Sequence, residues 1–100
     1  MFLLSVPPII KGEQLKDLTV VEGEPVVLLV KFEGTTSIIS WTLNGNEIHT
    51  SDRIKIRNEA DLTEITITSV AMSDAGIYQL VLRNDAGHVD VSCKVDVYGR

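Results

Sequence analysis

Six of the seven glycines stand at a fixed interval, at positions 12, 23, 34 and 45 and then at 76 and 87, each step within a group being 11 residues. Turn signals at this spacing are what a sandwich or barrel of short strands produces. The residues between the glycines do not recur, so the rhythm is strand-plus-turn rather than an internal repeat. What fills the intervals agrees. Val (12), Ile (10) and Thr (8) give 30 β-branched residues against 4 Ala. Branching at Cβ restricts χ1 in a helix but packs well on a pleated sheet, so the chain reads as all-β. With 100 residues, 44% apolar and 23% charged, it is one domain, and neither a disordered nor a membrane-spanning composition.

Residues 7–11 suit an edge strand, where prolines cost no ladder hydrogen bond. A short strand over 18–21 ends at the turn Glu22-Gly23-Glu24-Pro25, and 26–32 is a buried strand closed by Gly34. Strand 38–43 runs into Asn44-Gly45, a hairpin signal because both residues tolerate positive φ, and 46–49 returns from it. Strand 53–57 places Ile54 and Ile56 on one face, and 63–68 alternates threonine and glutamate outward with isoleucine inward. A single helical turn is expected over 70–75, then strand 77–83, a turn at Asn84-Asp85-Ala86-Gly87, and a last strand over 89–98. Eight or nine strands with no helix of useful length must bury one sheet face against another, which gives a sandwich. At this length roughly two-thirds of the chain's surface is buried on folding, enough for an independent core.

The single cysteine, Cys93, cannot form a disulfide within the chain, and this points toward a reducing compartment. Net charge is −5, and no cluster of Lys and Arg exists to engage phosphates, which argues against nucleic acid and anionic membranes as partners. Residues 1–6 are apolar but lack a basic start and a small-residue cleavage site, and Pro7-Pro8 stops the run. They read as a linker or an added segment, with the domain over 7–98 and a further linker at 99–100. No stretch approaches the roughly 20 apolar residues that span a bilayer. None of Asn44, Asn46, Asn58 and Asn84 has Ser or Thr two residues on, mild support for an intracellular home.

At Asp74-Ala75-Gly76-Ile77-Tyr78-Gln79-Leu80 the sequence resembles the Asp-x-Gly-x-Tyr-x-Cys signature of immunoglobulin domains, and the likeness extends over nearly the whole chain. Val26-x-Leu28-x-Val30-x-Phe32-x-Gly34 matches the family's second strand and puts Val30 at the first bridging-cysteine position. Trp41, 11 residues later, matches the core tryptophan, and Leu80, 50 residues after Val30, takes the second cysteine position. The resemblance implies a Greek-key β-sandwich of two antiparallel sheets without the inter-sheet disulfide, its place filled by the methyl groups of Val30 and Leu80. It also implies a tyrosine corner at Tyr78, with the hydroxyl bonded to backbone near Asp74, and an Arg53–Asp74 salt bridge. Pro7-Pro8, Glu22-Gly23-Glu24 and the Asn84-x-Ala86-Gly87 turn are most similar to the I-set subgroup. I-set domains lacking the disulfide are a hallmark of giant intracellular muscle proteins of the titin, obscurin and twitchin kind.

Catalysis requires a nucleophile, a base and a pocket that excludes water, and the sequence supplies no such set. Cys93 alternates inward with Val91, Val95 and Val97 and reads as a small buried hydrophobe, and the topology that the resemblance implies puts neither His49 nor His88 beside it. One cysteine and two distant histidines do not make a zinc site, and Glu22 and Glu24 on one turn read as solvated rather than as calcium ligands. No enzyme, metal or cofactor is expected. What remains is surface. With Val30 inward, Val27 and Leu29 lie on the outer face of one sheet. With Tyr78 and Leu80 inward, Ile77 and Val81 lie on the outer face of the other, near Ile38. Apolar residues two apart on an exposed strand can form the centre of a protein-binding patch. The expectation is a non-enzymatic spacer and docking module of a larger cytoplasmic protein of the sarcomere or cytoskeleton. Its partners would be proteins, other immunoglobulin or fibronectin-type domains among them, with a weak homodimer as one outcome. The alternative is an extracellular adhesion or receptor domain that has lost its disulfide.

Overall fold

The structure is a computed structural model and describes residues 6–100. Of the segment read as a linker over 1–6, all but Val6 therefore lies outside the described residues. Eight strands form: β1 (Leu18–Val21), β2 (Val26–Lys31), β3 (Ile38–Leu43), β4 (Asn46–Glu47), β5 (Ile54–Asn58), β6 (Leu62–Ile67), β7 (Gly76–Asn84) and β8 (Gly87–Tyr98). A 3-10 turn at Met72–Asp74 is the only helical element among the described residues.

Two sheets stack face to face, a five-stranded one in the order β1-β8-β7-β3-β4 and a three-stranded one in the order β2-β6-β5. Every pairing is antiparallel except β1 with β8, which runs parallel from Leu18↔Val95 to Val21↔Tyr98. The alternation in the sequence decides what is buried. Val26, Leu28 and Val30 of β2 and Ile65 and Ile67 of β6 point inward, against Trp41 of β3, Tyr78, Leu80 and Leu82 of β7, and Cys93, Val95 and Val97 of β8. The β3–β4 turn is a two-residue one in which Asn44 (φ 51°) and Gly45 (φ 86°) both take the left-handed conformation that suits the strand twist.

Two expectations change. The edge strand over 7–11 reduces to one bridge, Ile9↔Glu33, and adds no fourth strand to the three-stranded sheet. Pro7 and Pro8 bring no N–H, and Gln14 occupies the next place along the β2 edge. Its carboxamide donates to Lys31 O and accepts from Lys31 N, each at 2.7 Å. The second change is Thr63, expected outward with its fellow threonines. It shares the parity of Ile65 and Ile67 and is fully buried.

Candidate interaction surfaces

At the centre of the sandwich, Val30 and Leu80 are both 0% exposed, and Trp41 lies directly opposite Leu80 across the β3–β7 pair. Val30 lies opposite Thr63 in the β2–β6 pair. The Trp41 indole Nε1 donates across the core to Thr63 Oγ1 at 2.8 Å, and Thr63 Oγ1 donates to Asn58 Oδ1 at 2.6 Å. This relay joins the sheets by a hydrogen bond at the level of Val30 and Leu80, the pair that the resemblance puts at the bridging-cysteine positions. Sequence reasoning missed it, although the parity of Thr63 was the signal.

Below it, Arg53 makes two contacts to Asp74, Nη1 to Oδ2 at 2.8 Å and Nη2 to Oδ1 at 3.3 Å, and Nη1 also donates to Ser69 O at 2.9 Å. Asp74 is buried, and its Oδ2 accepts from Ala71 N at 2.7 Å, capping the 3-10 turn. Tyr78 Oη donates to Asp74 O at 2.5 Å, closing the tyrosine corner. Burial, reinforced by the Asp74 charge, pushes the Tyr78 phenol up to about 12. The hydrogen bond and charge of Asp74 raise Arg53 above its usual value, so this guanidinium stays charged. All of these groups are spent on one another, and the cluster fixes the entry to β7.

The outer faces are mixed. On the five-stranded sheet, Ile77 is 47% exposed and Val81 half-buried, but Gln79 stands between them on β7. The register sets Ile77 beside Lys94, Val81 between Ser40 and Asp90, and Ile38 beside Arg83. The apolar positions thus lie on a diagonal broken by polar and charged neighbours. Val27 and Leu29 occupy the opposite face of the molecule, next to Thr66 and Glu64 of β6. Val27 is 52% exposed, whereas Leu29 is half-buried beside a cleft of about 150 Å³ also lined by Gln14, Leu15, Lys16 and Leu18. The four candidate surface residues therefore belong to two separate faces.

Among the described residues no catalytic constellation accompanies them. Cys93 is buried, and that burial raises its thiol above the usual value. Among the described residues no three metal-ligating side chains cluster. A groove of about 260 Å³ between β4 and β5, lined by Ile39, Trp41, Ile48, Ile56 and Asn58, holds one titratable group, Glu47. Among the described residues no helix is long and apolar enough to cross a membrane.

The sequence model of the immunoglobulin I-set domain matches residues 10–97. The chain belongs to the immunoglobulin I-set family. Among solved structures it is similar to titin domain M7, with a TM-score of 0.85 and 28% identity over 96% of this chain and 98% of that one. Among curated proteins it is 35% identical over 96 residues to smooth-muscle myosin light chain kinase of Gallus gallus, covering 89% of this chain and 5% of the kinase. It is 42% identical over 78 residues to the muscle M-line assembly protein unc-89 of Caenorhabditis elegans, covering 75% of this chain and 1% of that protein. Cell-adhesion proteins also match, including Dscam1 of Drosophila melanogaster at 31% over 99 residues, 93% of this chain and 5% of Dscam1. The chain thus spans a few per cent of the length of these relatives. The I-set fold and the kinship with domains of muscle and cell-adhesion proteins rest on this footing.

Proposed function

We propose that the domain is a load-bearing spacer and docking module of a larger cytoplasmic protein of the sarcomere or cytoskeleton, with the folded unit over 7–98 and 1–6 and 99–100 as linkers. The observation that carries this reading is the parallel β1–β8 pairing. Strand β1 enters from the amino-terminal side and β8 leaves at the carboxyl terminus, so tension along the chain loads their ladder in shear, and its bonds must yield together. Stretching the domain by its ends in a single-molecule instrument tests the reading. A single cooperative rupture at high force supports it, and gradual extension at low force contradicts it.

Docking rests on the kinship and on the exposed Ile77 and Val27. The partner class is another protein domain, of immunoglobulin or fibronectin type, and a weak homodimer through the Ile77/Val81 face is one form of it. Sedimentation at high concentration, repeated with Ile77→Glu plus Val81→Lys, tests that form. Association lost in the double variant places the contact there, and a monomer in both contradicts self-association. The second reading, an extracellular adhesion domain, is favoured by the likeness to Dscam1. The apolar pair Val30 and Leu80 supports the first, because a core whose two sheets meet without a disulfide has no need of an oxidising compartment.

A further inference from the structure

We propose that Asn44–Gly45 is a deamidation site that the fold keeps silent and that unfolding switches on, so that the chain carries a chemical record of the time it has spent unfolded. Of the four asparagines, Asn44 alone is followed by glycine, the others being followed by Glu47, Glu59 and Asp85. Glycine leaves the next backbone nitrogen unshielded, which makes Asn-Gly the most reactive pairing. The reaction needs no enzyme. The Gly45 amide nitrogen, after giving its proton to solvent base, attacks Asn44 Cγ and expels Nδ2 as ammonia. Water then opens the cyclic imide at one carbonyl or the other, leaving aspartate or isoaspartate.

In the folded domain the turn is exposed, so solvent access does not protect it. What protects it is where the carboxamide is held. Asn44 Oδ1 accepts from Ile77 N at 2.9 Å, Nδ2 lies 3.5 Å from Ala75 O, and the backbone N–H of Asn44 donates to Ile77 O at 2.8 Å. The side chain lies flat over Gly76, where a Cβ would stand 2.4 Å from both carboxamide heteroatoms. The bond to Ile77 and the seat on Gly76 hold the carboxamide against the rotation that carries Cγ onto the Gly45 nitrogen. Both contacts depend on β7 being in place, and both vanish when the sandwich opens.

The product is not innocent. Isoaspartate adds a methylene to the main chain inside a two-residue turn that sets the pairing Leu43↔Asn46. Aspartate keeps an acceptor for Ile77 N but loses the Nδ2 donor. A chain that has deamidated therefore refolds with a weakened β3–β4 hairpin and a loosened start to β7.

The test incubates the chain at 37 °C and mildly alkaline pH, in native buffer and in guanidinium chloride, and follows isoaspartate and the one-dalton mass gain in the peptide containing Asn44. If the reaction runs only through opening, the denatured chain converts at least about tenfold faster than the native one. Equal rates would overturn the proposal. A second arm uses Leu80→Ala in native buffer. Conversion faster than wild type, up to the denatured rate if that variant fails to fold, supports unfolding as the trigger. A folded Leu80→Ala domain converting at the wild-type rate would contradict it, since opening of the hairpin alone would then suffice.

Discussion

Val30 and Leu80 lie in the core with no accessible surface, beside the buried Trp41, at the positions that the resemblance assigns to the bridging cysteines. Val30→Cys with Leu80→Cys tests whether they hold the bridging positions. The reduced double variant should be less stable than wild type by roughly 2–5 kcal/mol, because methyl groups leave a close-packed core. Oxidation should then restore about 4 kcal/mol by closing a 50-residue loop in the unfolded chain. Urea unfolding with and without reductant measures both, and a pair that does not oxidise would show the positions misassigned. Beside them, Arg53→Ala strands the buried Asp74 carboxylate and should cost about 1–3 kcal/mol by the same assay. Tyr78 contributes to the alkaline limit. Its folded pKa of about 12 lies above the usual 10.0, so the folded state holds the phenolic proton more tightly. Its contribution is complete below pH 10 and is lost as pH rises through 12, a fall of roughly 2–3 kcal/mol. In Tyr78→Phe that part of the alkaline decline should disappear.

At the scale of elements, most of the sandwich was legible because alternation and turn chemistry are local. The β2 pattern Val26, Leu28, Val30 and the Asn44–Gly45 turn stand where their residue types put them. The misreadings have non-local causes. The edge over 7–11 gives way because a glutamine side chain 17 residues from Lys31 takes up its backbone groups, a contact no periodicity encodes. Thr63 was readable by parity and misread by residue type, and its relay from Trp41 to Asn58 links β3, β6 and β5. Thr63→Val keeps the shape but leaves the indole N–H and Asn58 without this partner. A loss of roughly 1–3 kcal/mol is expected in urea unfolding, and an unchanged midpoint would show the relay to be dispensable. Gln79 between Ile77 and Val81 was legible by parity, but the cross-strand register that sets Lys94, Arg83 and Asp90 among the surface candidates is a tertiary fact.

At the scale of the molecule, the parallel β1–β8 ladder couples the two ends of the chain, and the direction of each backbone group on β1 makes the claim sharp. Val21 N donates to Glu24 Oε1 and Val21 O accepts from Glu24 N, while Glu22 N donates to Tyr98 O. Val21 therefore points away from β8, and by alternation so does Thr19, whereas Val20 points its N–H and C=O into the ladder. Proline at position 20 removes a donor to the β1–β8 ladder, and proline at position 19 removes one that faces away. The deciding measurement is the force at which wild type, Val20→Pro and Thr19→Pro rupture when single molecules are stretched by their ends. The account predicts a sharply lower force for Val20→Pro and a force near wild type for Thr19→Pro. Equal forces in wild type and Val20→Pro would contradict it.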